Sequence, residues 1–338
     1  MLSPRAIRLF LKYFDSIDQA LSKRLVRKRT WDETALTFLL TELLDEEGQT
    51  DHNVPYPHDT FLRDLSATDE PMSVSIELET HSYPTPMERY VTQSDIGFIL
   101  SYEDQFDHQA SFRRGWLFQA KRLFPARQRQ DHGFTANSRF ESVNKAQHER
   151  MRRLRDWAHC DFIRYLLYCP RPSALDKNVR EQLCSARSRA LARDIFDYSL
   201  GLQLRDDFLS DSPTVAAGIF VALLDELPDS LAAVHEFLFK GVSPFSWFIV
   251  SQLAQTNGIR IRSGHDLDEL HRPDWNPDQN LNNPIVNALI RGDFEVFRTD
   301  ETLMELINDP QQAQILPSHT VTVKVINGID RPRNRNVG

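Results

Sequence analysis

Glu33, Asp95, Gln119 and Lys121 are residues of the types that phosphodiester hydrolysis uses. Gln119 and Lys121 stand two apart in Trp116-Leu-Phe-Gln-Ala-Lys-Arg122, a run that reads as a strand. Both side chains therefore point to one face, and Trp116, Phe118 and Ala120 point to the other. Asp95 opens the preceding apolar run, Ile96–Tyr102. If the two runs are antiparallel neighbours, acid, amide and ammonium converge at one end of a sheet. A carboxylate, an amide oxygen and a backbone carbonyl make a hard oxygen site suited to Mg²⁺ or Mn²⁺. Such an ion polarises a phosphodiester and lowers the pKa of a bound water. A lysine beside it orients that water or steadies the developing charge.

The same residues have plainer readings. Thr30-Trp31-Asp32-Glu33 has the form of a capping box, with Thr at the N-cap and Glu at N3, which accounts for Glu33 without chemistry. Asp95 also suits a strand entry. Gln119 and Lys121 also suit the solvent face of an edge strand. Glu77 and Glu79 alternate outward from Ile76 and Leu78, lining either the same cleft or a solvated face.

These residues need elements to position them. Residues 5–28 read as a basic amphipathic helix, with Ile7, Phe10, Phe14, Ile17 and Leu21 near the 3.6 period. A second helix runs from Thr30 to about Glu47 on a stripe of leucines, and Glu33 faces inward with it. Residues 49–71 read as a loop. Met72–Thr80 alternates strictly, as a half-buried strand does. Residues 143–158 read as a helix carrying Gln147, Met151, Leu154 and Ala158 on one stripe. Phe162–Cys169 is apolar enough for a central strand. This succession is an α/β layer with a crossover helix before its last strand. Beyond residue 172 the pattern turns helical, at 177–208, 213–226, 228–240 and 246–256, with one alternating run at Thr320–Ile326.

Composition sets bounds. The chain has 338 residues, 41% hydrophobic and 26% charged, a globular profile. No apolar run reaches the ~18 residues that span a bilayer, and the N-terminus reads as a helix and not as a signal peptide. Cys160, Cys169 and Cys184 have neither disulfide-framework nor zinc spacing, pointing to a reducing cytoplasm. Walker A, dinucleotide and G-x-S-x-G motifs are missing, which disfavours P-loop, Rossmann and α/β-hydrolase chemistry. Net charge is −8, but unevenly spread. Residues 1–29 carry eight Lys/Arg against two Asp/Glu, residues 30–112 two against eighteen, and residues 113–155 twelve against three. Arg113, Arg114, Arg122, Arg127, Arg129 and Lys145 flank the Gln-x-Lys strand and are candidate phosphate contacts.

Glu33 on an opening helix, Asp95 in Ser94-Asp-Ile-Gly97, and Gln119-Ala120-Lys121 on an apolar strand together resemble the PD-(D/E)XK nuclease superfamily. The nearest branch has Gln-x-Lys for Glu-x-Lys, as in Mrr-like restriction enzymes and some phage-defence effectors. The resemblance covers residues 30–170, 141 of 338. Ser94 stands where the family usually has proline, and the stretch between Asp95 and Gln119 is longer than usual. The resemblance implies a restriction-endonuclease-like mixed sheet flanked by helices. It implies metal binding by Asp95 and the Ala120 carbonyl beside Gln119, a water-orienting Lys121, and a helper or second-metal role for Glu33. Gln147 matches a position where some members place a further active-site glutamine.

The expectation is therefore an α/β nuclease domain over residues 1–175, including the basic N-terminal helix. A mainly α-helical domain for recognition, dimerisation or regulation follows over 176–338. The expected activity is Mg²⁺- or Mn²⁺-dependent hydrolysis of DNA, in bacterial anti-phage defence. A homo-oligomer and a separately encoded ATPase or sensor are the expected protein partners. The alternatives are a non-catalytic DNA-binding or assembly module on the same fold, or a protein-interaction scaffold.

Overall fold

The computed structural model describes residues 2–27, 31–68, 71–83, 91–125, 133–140, 145–193, 215–254, 277–293, 295 and 316–328. Its helices are α1 (Pro4–Leu25), α2 (Glu33–Leu44), α3 (His58–Ser66), α4 (Lys145–Ala158), α5 (Lys177–Arg193), α6 (Leu231–Glu236), α7 (Phe245–Ala254) and α8 (Pro284–Ile290). Its strands are β1 (Met72–Thr80), β2 (Val91–Asp104), β3 (Phe112–Arg122), β4 (Ile163–Tyr168), β5 (Ile219–Leu223), β6 (Val242–Pro244) and β7 (Leu316–Asn327). All seven strands form one mixed sheet in the order β1-β7-β2-β3-β4-β5-β6. β3 and β4 run parallel, joined through α4, and β2 and β7 run parallel. Every other neighbouring pair is antiparallel.

Local signals place most elements. Ser3 caps α1, its hydroxyl accepting from the Ala6 N–H at 3.1 Å, and Pro4 occupies the first turn, where its missing donor costs nothing. The Asp32 carboxylate, and not Thr30, caps α2, accepting from the Ala35 N–H at 2.8 Å. Glu33 is thus the first helical residue and not the N3 member of a capping box. Residues 49–71 are not all loop, because α3 forms there and buries Phe61 against Phe10 and Tyr13 of α1.

The second half departs further from expectation. Residues 213–226 contain β5 and no helix among the described residues. Ile219 to Ala222 are all fully buried, and such continuous apolarity suits a central strand as well as a helix; the neighbours β4 and β6 decide it. The alternating run near residue 320 is β7, lying between β1 and β2. Strands β5, β6 and β7 all lie beyond residue 176 and join the same sheet as β1 to β4, so the described part of the second half is not all helical.

The two faces of the sheet are packed differently. On the back face Phe98, Trp116 and Phe118 meet Phe245 and Phe248 of α7 in edge-on contacts of 5.0 to 6.4 Å. Phe14 of α1 reaches the same Phe245 at 6.0 Å, which closes the main core. The front face carries Asp95, Gly97, Gln119, Lys121 and Tyr165. It is covered by α4 over β3 and β4, and by α8 over β2. Gly97 is required there, since a Cβ would lie 1.8 Å from the Ile290 carbonyl oxygen.

A polar wedge at one end of the sheet

Asp95 and Gln119 are direct partners across the antiparallel β2–β3 pair. Direct partners share a face, and Lys121, two further along β3, shares it too. The N–H groups of Leu117 and Leu123 donate to carbonyls of Phe162 and Tyr168, on the β4 side. Odd-numbered backbone groups near this end of β3 therefore point to β4, and even-numbered ones to β2. Asp95 and Gln119 are thus a non-hydrogen-bonded pair, the closer kind, with Cα atoms about 4.5 Å apart.

Among the described residues the β2–β3 ladder ends at this pair, although β2 continues back to Val91 and β3 on to Arg122. The β2–β7 register also shifts between Thr92 and Ile96, the irregularity that turns β2 away. The backbones of Ala120 and Arg122 consequently face a wedge between two diverging strands. Glu33 reaches this wedge from the start of α2, its carboxylate accepting from the Arg122 N–H at 2.9 Å. The N1 position makes that reach possible, so the corrected cap explains the contact.

Asp95 and Gln119 are each 2% exposed, while Lys121 is half-buried. Gln147 on α4 donates its amide N–H to the Gln119 amide oxygen at 2.5 Å, which brings the proposed accessory glutamine into the cluster. Tyr165 of β4 is the register partner of Gln119 on its other side and is fully buried. His148 hydrogen-bonds the Tyr165 hydroxyl through Nδ1 at 2.9 Å, with parallel rings. Burial raises the Tyr165 pKa, and the charges of Asp95 and Asp225 raise it further. Partial burial lowers the His148 pKa; Arg152 and Arg155 add to this, while Asp225 and Glu149 oppose it. Sequence reading missed His148 and Tyr165. Their one signal is adjacency, His148 following Gln147 and Tyr165 lying mid-run in a strand next to the Gln-x-Lys strand.

The donor set suits a hard divalent cation. Among the described residues no group of three or more His, Cys, Asp or Glu gathers to hold a metal. An ion here would rest on Asp95, the Ala120 carbonyl in the wedge, the Gln119 amide oxygen and Glu33. One or two carboxylates completed by water and substrate phosphate is the habit of Mg²⁺. Glu79 shares the front face but sits two strands away on β1, exposed and 3.8 Å from Arg291. It does not join the wedge.

The expected phosphate contacts are dispersed. Arg114 points to the back face, 3% exposed, donating to the Gln252 amide oxygen at 2.6 Å. Arg122 is 6% exposed and lies over the Phe124 ring. Neither presents its charge to a strand of nucleic acid, because each guanidinium is spent inside the fold. Arg113 is exposed, but eight residues of strand, about 26 Å, separate it from Lys121. Lys145 is exposed at the start of α4. Arg127 and Arg129 lie outside the described residues. Three of the four arginines of α4 are neutralised: Arg152 by Asp225 at 3.1 Å, Arg153 by Glu149 at 3.4 Å, and Arg155 by Asp156 and Asp225.

No family model, curated protein or solved structure matches this chain.

Proposed function

We propose that the wedge hydrolyses phosphodiester bonds of DNA with a divalent cation, on a restriction-endonuclease-like core spanning β1 to β4. The observation that carries this reading is the direct register of Asp95 against Gln119 at the point where β2 and β3 part. The succession α2, β1, β2, β3, α4, β4 follows the order of that core, with α3 inserted between α2 and β1 in the chain and β7 set between β1 and β2 in the sheet.

Asp95, the Ala120 carbonyl and the Gln119 amide would hold the ion, with Glu33 at the mouth. When bound, the ion supplies a polarised phosphoryl oxygen and a more acidic water. Lys121 points its ammonium from the same face, holds the attacking water in line and offsets charge on the phosphate. Gln147 fixes the Gln119 amide through its hydrogen bond, so the donor oxygen is oriented before substrate arrives. Burial of Asp95 and Gln119 excludes competing water and strengthens each electrostatic contact. A place in anti-phage defence follows from the resemblance alone.

The test is nicking of plasmid DNA with and without Mg²⁺, beside Mn²⁺ binding by calorimetry. Lys121→Ala should lower cleavage by at least about 10²-fold while leaving circular dichroism intact. Asp95→Asn should lose both cleavage and Mn²⁺ binding. Wild-type protein that binds no Mn²⁺ and cuts no DNA refutes the enzyme and leaves the non-catalytic module on the same fold.

A further inference from the structure

The basic N-terminal helix, which the site above does not use, precedes α2 in the chain, and the first residue of α2, Glu33, reaches the wedge. Lys23 and Arg24 lie in the last turn of α1 and Arg27 just past its cap, with Lys23 and Arg27 exposed. Arg24 lies over the ring of Trp31, 5.2 Å from its centroid. Trp31 directly precedes the Asp32 cap and Glu33, so this cation–aromatic pair is tied through two residues to the mouth of the wedge. Among the described residues none of the three cations is ion-paired. Burial and the charge of Arg27 both lower the Arg24 pKa. The contrast with α4 decides the matter: there Arg152, Arg153 and Arg155 are paired to Asp225, Glu149 and Asp156.

A cavity of about 300 Å³ opens beside Lys23, bounded by Gln19, Ser22, Arg171 and Ser173. Among the described residues its rim carries hydroxyl, amide, guanidinium and ammonium donors and no carboxylate. Arg171 is held in place by Asp15 at 3.0 Å and Asp18 at 2.8 Å, so its charge is already balanced and Lys23 sets the sign of the opening. Arg171 follows β4, which runs parallel to β3, so the cavity and Lys121 lie at the same end of the sheet. The volume is at the low end for small-molecule sites and has room for a phosphate with its sugar.

Building on the nuclease reading, we infer that the end of α1, Trp31 and this cavity form the track that binds a single, unpaired nucleic-acid strand and delivers it to the wedge. Lys23 and Arg27 contact phosphates, Trp31 stacks one base, and the cavity receives the sugar-phosphate of a neighbouring nucleotide. The strand is unpaired because a duplex keeps its bases stacked and offers neither Trp31 nor the cavity a nucleotide to hold.

The experiment is fluorescence anisotropy of the full chain with a labelled oligothymidylate of about 15 nucleotides, titrated across salt, with cleavage followed in parallel. The doubly substituted Lys23→Gln, Arg27→Gln protein should bind at least about ten-fold more weakly at low salt. Its log–log salt slope should be lower by about 1.4, about 0.7 for each lost phosphate contact. Trp31→Ala should weaken binding about ten-fold at an unchanged slope, with Trp31→Phe restoring most of it. Arg152→Gln, Arg153→Gln should change neither quantity. Unchanged affinity and slope in the Lys23, Arg27 variant, or no binding by the wild type, overturns the track. Equal affinity for the same sequence as a duplex overturns the unpaired-strand assignment. Binding that obeys these substitutions without any cleavage keeps the track and rejects the nuclease.

Discussion

Gly97→Ala tests whether the site end of the sheet is built as described. Gly97 lies two residues from Asp95 on the same face. An added Cβ would lie 1.8 Å from the Ile290 carbonyl oxygen and 2.8 Å from the Thr320 hydroxyl oxygen. Ordinary contact begins near 3.4 Å, so α8 or β2 must move by about 1.6 Å. Overpacking of this kind costs about 1–3 kcal/mol. The movement also breaks the buried hydrogen bond from Thr320 to the Ile290 carbonyl, 2.7 Å long. Stranding that acceptor costs about 1–3 kcal/mol more. A loss of about 2–6 kcal/mol is a large share of typical stability, about 5–15 kcal/mol. The assay is the urea midpoint by circular dichroism and tryptophan fluorescence. Gly133→Ala is the control, because nothing among the described residues lies within 4 Å of its Cβ position and its effect should stay within about 0.5 kcal/mol. A Gly97→Ala midpoint equal to that of Gly133→Ala refutes the docking of α8 on β2.

Arg171→Ala should destabilise by about 3–5 kcal/mol, since Asp15 and Asp18 remain buried without their cation; thermal melts check this, with Asp15→Asn, Asp18→Asn, Arg171→Met as a milder neutral replacement. Burial lifts the Asp15 pKa from 3.8 to about 6, against the opposing pull of Arg171. The folded state then holds the proton more tightly than the unfolded chain, so this group's stabilising contribution is full below pH 3.8 and is lost as pH rises through 6. Asp15→Asn should flatten that part of the stability profile, and an unchanged slope between pH 4 and 6 counts against it. Glu33→Gln keeps an acceptor for the Arg122 N–H and should hold stability within about 1 kcal/mol, whereas Glu33→Ala should lose about 1–3 kcal/mol in the same melts.

The local half of the structure was readable from the chain. The β1 run at Met72–Thr80 alternates because one side of it is buried, and Ser3-Pro4 starts a helix by its own hydrogen bond and fixed φ. Gln119 and Lys121 had to share a face once β3 was a strand, since the pleat has a period of two. Glu33 was misread because Thr30 and Asp32 are both competent caps by type, and in the fold it is Asp32 that caps α2. Residues 219–222 carry no periodicity to tell helix from strand, and hydrogen-bonding neighbours settle the matter.

Charge was the least legible property. Twelve cations between residues 113 and 155 promised a basic face. Residue order does not reveal that Asp225, seventy positions on, neutralises Arg155, or that Gln252 takes Arg114. By itself the sequence determined the elements, their buried sides and the residue types available for chemistry, because these follow from interactions a few residues long. Tertiary structure decided which strands are neighbours, where β2 leaves β3, which arginines are spent inside, and that Lys23, Arg24 and Arg27 make no ion pair among the described residues. Those outcomes depend on contacts between distant segments, and no local rule specifies which of the many compatible pairings the packed core selects.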